Sequence, residues 1–361
     1  MRVSIIGLGV VGGSLGIAIK QSNSGVTVAG FDSPEVLRRA KRRKAIDVSA
    51  ASVRSAVSDA DIVFLCTPVD SIIRLLPAVS RSIAPNAIVT DVGSVKGVIQ
   101  SYAQKYFSSR GVFVGGHPMA GSEGSGIEYA DGLLFQNAVY VLCPLPGTGK
   151  KIQPLFSLLK SIGARVVTMN AREHDRVAAV ISHLPQLVAV GLMDNAAREN
   201  KRDPAILRLA AGGFRDMTRI ASSPFGMWKE ILSNNRSEAG RAVAEFEKLL
   251  KQIRKELSQR TLSKVGKKFV RAKSFRDAIP KNSKGFLHSL HDLFVWVDDK
   301  PGMLARVAAA LSGAGININD IELLKVREGQ GGTFRLAFDS AETSRMAARV
   351  LRKKGFRVVA N

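Results

Sequence analysis

Apolar residues in the first half of the chain come in blocks of four or five, separated by longer stretches where they recur at three- and four-residue spacing. The blocks are Val3–Ile6, Val26–Gly30, Ile62–Leu65, Ala87–Thr90, Val112–Gly115, Ala138–Leu142 and Arg165–Thr168. Most are apolar at odd and even positions alike, as strands are in a parallel sheet covered by helices. The intervening stretches, such as Gly13–Gln21, Pro34–Lys44 and Val69–Ser82, predict helices. Residues 1–170 therefore read as a doubly wound α/β domain. From residue 171 the strand blocks stop. Residues 173–200, 203–211 and 224–258 predict an all-helical domain over 171–258. Such a domain cannot easily bury every helix within one protomer, which predicts a homodimer. Residues 259–289 are basic, polar and contain Pro280, and read as a helix end followed by a linker. Residues 290–361 carry a β-α-β-β-α-β pattern: Asp292–Val297, a helix over Met303–Ala314, Asn317–Lys325, Gly332–Phe338, a helix over Ser344–Lys354, and Arg357–Val359.

Composition narrows the class. A chain of 361 residues, 45% apolar and 23% charged, has the core of a globular protein of two or three domains, and with 6% aromatics that core is mainly aliphatic. The absence of a basic–apolar–small leader and of a long apolar run predicts no signal peptide and no membrane anchor. Cys66 and Cys143 sit singly in apolar runs, so neither a disulfide framework nor a cysteine metal site is expected, and a cytoplasmic location fits. Lys and Arg outnumber Asp and Glu by 53 to 30, and the excess is densest over residues 251–290. That stretch offers only Phe269, Phe275 and Phe286 as stacking groups, so it reads as a solvated basic helix and linker rather than a nucleic-acid surface.

The candidate chemistry begins at Gly7-Leu8-Gly9-Val10-Val11-Gly12, directly after the first strand and opening a helix. In a dinucleotide loop Gly7 makes the turn, Gly9 admits a pyrophosphate and Gly12 lets helix and strand pack. N–H groups of the helix N-terminus, around Val10 and Val11, face the phosphates. Asp32 closes the second strand, 20 residues after Gly12, where it would bind ribose hydroxyls and repel a 2′-phosphate. This predicts NAD rather than NADP. Thr67 and Pro68, after the Ile62–Leu65 strand, would line the same crevice.

Five histidines occur. His117, in Gly115-Gly116-His117-Pro118-Met119-Ala120-Gly121, is expected on a constrained loop after a strand, where imidazole can accept a hydroxyl proton. Ser94, in Asp91-Val92-Gly93-Ser94-Val95-Lys96 at the end of the preceding strand, could serve the chemistry or cap the next helix. His183, in Ser182-His183-Leu184-Pro185-Gln186, reads as an interhelical histidine beside a proline kink. The Gly212-Gly213 pair precedes Arg215 and Arg219, four apart, which could aim two guanidinium groups at carboxylates from one helix face.

These motifs, in this order, resemble the prephenate/arogenate dehydrogenase family of tyrosine biosynthesis. GLGVVG at 7–12, DVGSVK at 91–96, GGHPMAGSEGSG at 115–126, SHLPQ at 182–186, GGFRDMTRIA at 212–221 and MW at 227–228 carry the resemblance, which covers about residues 1–280. The tail from Leu290 resembles an ACT domain, an amino-acid-sensing module of ferredoxin-like fold, through Asp299-Lys300-Pro301-Gly302-Met303-Leu304 and Gly315-Ile316-Asn317-Ile318. The resemblance implies a Rossmann-type NAD domain, a helical dimerisation domain and a regulatory tail. It also implies NAD-dependent oxidative decarboxylation of prephenate to 4-hydroxyphenylpyruvate. By position, His117 would take the ring hydroxyl proton, Ser94 would hold the hydroxyl and Arg219 would bind the side-chain carboxylate. Arg215, Glu123, Ser182 and Trp228 would shape or gate the pocket. Gln186 stands where many prephenate-using members carry histidine, which keeps arogenate open as sole or second substrate. Asp299, Pro301, Gly302 and Asn317 would bind an amino-acid effector, expected to be L-tyrosine.

Two other readings compete. Dehydrogenases of β-hydroxyacids share the scaffold but usually place a catalytic lysine in the helical domain, and HPMAG argues against them. A cofactor-binding amino-acid sensor would need neither His117 nor Arg219.

Overall fold

The computed structural model describes residues 1–107, 111–121, 124–259, 262–279, 290–298, 300–324 and 331–360. Glu123 and Asp299, both expected at binding sites, and residues 280–289 of the expected linker lie outside them. The chain forms two units, Met1–Lys268 and Phe269–Asn361.

The first unit is built on an eight-stranded sheet: β1 Arg2–Ile6, β2 Thr27–Phe31, β3 Val48–Ser49, β4 Ile62–Leu65, β5 Ile88–Asp91, β6 Val112–Pro118, β7 Val139–Pro144 and β8 Arg165–Thr168. Their order is β3-β2-β1-β4-β5-β6-β7-β8. Burial on both faces explains the apolar blocks. Val3, Ile5, Ile62 and Phe64 fill one core layer, while Ile6, Val63, Leu65 and Val89 fill the other. Strands β1 to β6 pair in parallel, but β7 runs antiparallel to β6, with β8 parallel to β7. The parallel reading of the sheet is corrected there, since strands buried on both faces carry no mark of direction. The two-residue β3, too short for a periodic signal, also went unpredicted.

Helices cover the sheet, and more follow it. Ala171–Ala178, a π-helical turn Ala179–His183 and Leu184–Asn200 form one continuous stretch. Pro185 supplies no N–H to the preceding turn, and the widened π turn accommodates the gap in place of a sharp break. The 30-residue stretch has the length of a membrane span, and its most apolar 18 residues have a mean hydropathy of 1.5, but its inner face carries His174, Asp175, His183 and Gln186, all buried. Val180, Ile181 and Val190 stay exposed on its outside. The expected 224–258 helix is two, Phe225–Asn234 and Arg236–Ser258, broken at Asn235. The expected linker is helical over Leu262–Ala278.

The second unit holds β9 His291–Val297, β10 Asp320–Leu324, β11 Gly332–Phe338 and β12 Arg357–Ala360, all antiparallel and in the order β10-β11-β9-β12. Helices Met303–Ser312 and Ala341–Lys353 pack on this sheet through Val307, Leu311, Ala347 and Leu351. The fold is the expected ferredoxin-like βαββαβ.

Candidate active site

The strand order reverses between β1 and β4, and ligands of open α/β sheets bind at such switch points, beyond the carboxyl ends of the strands. Gly7 turns the chain there with φ of 93°, its N–H bonded to Phe31 O at 2.9 Å. A side chain at Gly12 would lie 2.0 Å from Gly7 O, so only glycine lets the helix Val10–Ser22 start this close to the loop. The space beside Gly9 is open for 4 Å around a would-be Cβ, the clearance a pyrophosphate needs. Val10 and Val11 form the first turn of that helix. Asp32 follows β2, and its Oδ2 accepts from Leu8 N at 2.7 Å, so the carboxylate also pins the glycine loop. A cleft of about 540 Å³ runs beside Gly7, Asp32, Pro34, Ala50 and Thr67. The Thr67 hydroxyl is buried with no partner among the described residues, an orphaned polar group suited to a bound nucleotide. Pro68 sits at the N-cap of the helix Val69–Ser82. These residues fit a dinucleotide.

A buried polar network lies at the ends of β5 and β6. Lys96 and Asp91 are fully buried and paired, and Lys96 Nζ also donates to Gly116 O at 2.7 Å. Asp91 accepts from Gly116 N at 3.1 Å and from Gly93 N at 2.9 Å. The pair thus fixes the backbone directly before His117. His117 is not on a loop: it lies inside β6, opposite Val141, because the ladder to β7 continues to Pro118. It is 9% exposed, and its Nδ1 lies 2.8 Å from His174 Nε2. Burial, then the nearby His174, Lys96 and His183, hold its pKa well below the usual histidine value of 6.5. The imidazole is therefore neutral, as a base must be.

Ser94 is half-buried on the loop before the helix Gly97–Tyr106 and does not cap it. Asp175 fills that place from the helical segment: Oδ1 accepts from Lys96 N at 2.7 Å and Oδ2 from Gly97 N at 2.8 Å. His174 Nδ1 also lies 2.8 Å from Asp175 Oδ1. Lys96, His174 and Asp175 carried no role in the sequence reading. The His174-Asp175 pair sits among the charged residues Arg172, Glu173 and Arg176, so nothing in the sequence sets it apart from a solvated helix start.

On the helical side, Ser182 is half-buried in the π turn. His183 is buried, and burial lowers its pKa. Asn235 Nδ2 lies 3.3 Å from its Nδ1 and donates to Asp175 O at 2.8 Å, linking three helices. The Trp228 ring meets His183 edge-on at 6.0 Å, and its indole N–H is buried with no partner among the described residues. Gln186 Nε2 donates to Ile220 O at 2.9 Å. Arg215 and Arg219 do not share one helix face: Gly212 and Gly213 begin a helix ending at Thr218, and Arg219 opens a 3-10 turn. Both arginines are exposed in the single chain.

In the second unit Gly302, with φ of 86°, caps the helix Met303–Ser312, directly after Pro301. Asn317 precedes β10 rather than lying on it, and Asp320, the first residue of that strand, is bonded to Arg335 at 2.7 Å.

Comparison with known proteins accounts for both units. Residues 15–168 match the family described as "Prephenate dehydrogenase, nucleotide-binding domain", 170–271 the "Prephenate dehydrogenase, dimerization domain" and 291–349 the "ACT domain". Prephenate dehydrogenase of Bacillus subtilis strain 168 is 38% identical over 96% of this chain and 94% of that protein. The structure of Aquifex aeolicus prephenate dehydrogenase with hydroxyphenyl propionate and NAD+ superposes with a TM-score of 0.71 at 31% identity, covering 77% of this chain and 98% of that one. Synechocystis arogenate dehydrogenase follows with a TM-score of 0.68 at 30% identity, covering 77% and 99%. With the glycine-loop crevice, the buried histidine and the ACT-type tail all in one chain, the protein belongs to the prephenate dehydrogenase family of oxidoreductases.

Proposed function

We propose that the protein is an NAD-dependent prephenate dehydrogenase. The observation that carries this reading is His117, buried and neutral at the carboxyl end of the sheet that bears the glycine-loop crevice. Gly7, Gly9, Val10, Val11, Gly12, Asp32, Thr67 and Pro68 would hold the dinucleotide, which supplies the hydride acceptor when bound. The chain's own part is proton handling and orientation. His117 accepts the ring hydroxyl proton as the C–H electron pair leaves the carbinol carbon. The ring–carboxylate bond then breaks to release CO₂, and its electron pair aromatises the ring. The phenolic oxygen can recover the proton from His117, so the base ends as it began. Ser94 orients the hydroxyl, while Arg219 binds the side-chain carboxylate through charge-assisted hydrogen bonds. Arg215, Ser182, Gln186 and Trp228 complete the pocket. NADH formation with prephenate and arogenate side by side tests the reading, and turnover of neither substrate refutes it.

Asp32 carries the cofactor preference. kcat/KM is expected to be higher with NAD+ than with NADP+, and equal or reversed values would remove Asp32 from the argument. Gln186 favours a second reading, arogenate as an additional substrate, because a neutral amide brings no cation to compete with the substrate's ammonium group. Gln186→His should raise the prephenate-to-arogenate ratio of kcat/KM; an unchanged ratio means the position does not read the side chain.

The domains are assigned as 1–170 for the dinucleotide, 171–258 for substrate and dimerisation, 259–289 as the basic connection and 290–361 as the regulatory tail. The exposed apolar face around Val180, Ile181 and Val190 supports a homodimer, and the cysteine usage supports a cytoplasmic enzyme. In the tail, Pro301 and Gly302 at a helix start, with Asp299 and Asn317, would take an amino acid, expected to be L-tyrosine. Tyrosine should inhibit the full chain more strongly than a chain truncated after Lys284. Equal, substrate-competitive inhibition of both would place the inhibitor in the active site instead.

A further inference from the structure

We propose that His174 and Asp175 are positioning residues that lock His117 in the tautomer with its proton on Nδ1 and its Nε2 bare. The inference rests on the reading of His117 as the base and adds which nitrogen acts. Asp175 accepts from two backbone amides, Lys96 N at 2.7 Å and Gly97 N at 2.8 Å, at the positive end of a ten-residue helix. With both oxygens accepting from backbone N–H groups, the carboxylate serves here as an acceptor only. The contact of His174 Nδ1 with Asp175 Oδ1, 2.8 Å, must therefore carry its proton on the histidine. A neutral His174 then has a lone pair at Nε2. The 2.8 Å contact from that atom to His117 Nδ1 needs one proton, and His117 must supply it. His117 Nε2 is left without a proton, and it is the ring atom not engaged with His174.

The opposite arrangement would put a second proton on His174. Its Nε2–H would then donate to His117, whose own proton would move to Nε2 and abolish the base. His174 is 2% exposed, and the groups facing the pair are the Lys96 ammonium, already paired with Asp91, and His183, bonded to Asn235. Asp175 thus acts twice. Its carboxylate caps the helix after the Ser94 loop and orients the histidine behind the base, fixing Ser94 and His117 relative to each other.

Nitrogen-15 NMR of the histidine rings in the full-length protein tests the proposal without reference to turnover, with the His117 signals identified by their loss in His117→Asn. The expected spectrum shows His117 with a protonated Nδ1 and a pyridine-like Nε2. In His174→Leu the proton should shift toward Nε2, and kcat should fall by about tenfold or more, part of the general-base contribution, with KM unchanged. His174→Gln offers Oε1 as an acceptor for His117 Nδ1–H and should recover most of both signatures. A wild-type His117 protonated at Nε2 overturns the proposal, and that measurement needs no variant to fold. So does a His174→Leu protein with the wild-type tautomer and kcat. If instead His117→Asn retains full turnover while the tautomer is as stated, the base assignment fails and the lock stands.

Discussion

His117→Asn is expected to lower kcat by about 10²–10⁴-fold, the usual contribution of a positioned general base. Asparagine can keep a hydrogen bond to His174 Nε2, so the network behind it and the nucleotide crevice should survive, and NAD+ should bind as before. The pH profile gives a second signature. The base is active when neutral, and burial with three nearby basic groups holds its pKa well below 6.5. Activity should therefore rise with pH through an acid limb below the ordinary histidine range and stay level across neutrality. The variant should lose that limb. Turnover near wild type in His117→Asn, or a wild-type limb at or above 6.5, would assign the proton to another group.

The features legible in the sequence are the locally encoded ones. The glycine loop, Asp32 and the apolar strand blocks depend on neighbours within a turn or a strand, and the structure places each where its spacing predicts. Features set by distant partners were not legible. The partner of His117 lies 57 positions later, and the cap of the helix after Ser94 comes from Asp175, 78 positions beyond Gly97. Nothing around Ser94 signals that its capping role is taken. The reversal of β7 is silent because strands buried on both faces look alike in either direction. Gly212 and Gly213 are poor helix formers yet open a helix, and its end at Thr218 separates Arg215 from Arg219. The helix Leu262–Ala278 takes up more of the basic stretch than the helix end and linker read there, because its residues other than Gly266 are helix-compatible.

Lys96 shows how stability and catalysis share one contact. Its ammonium group is fully buried against Asp91 and bonded to Gly116 O, one residue before His117. Lys96→Met keeps much of the volume but leaves the Asp91 carboxylate buried without its cation. Breaking a buried pair from one side typically costs about 3–5 kcal/mol. At roughly 2–4 °C per kcal/mol for a unit of this size, the melting temperature should fall by about 10 °C. Activity should fall as well, since the Gly116 backbone loses the ammonium that ties it to the end of β5. The double variant Lys96→Met with Asp91→Asn removes both charges, and because neutral replacement of a buried pair is often tolerated, it should regain most of the lost stability. Thermal and urea unfolding of the three proteins decide the matter. If Lys96→Met melts with the wild type, water reaches the pair and it does not hold the backbone. If the single variant is destabilised but the double gains nothing, the cost lies in the lost bond to Gly116 O rather than in the stranded charge.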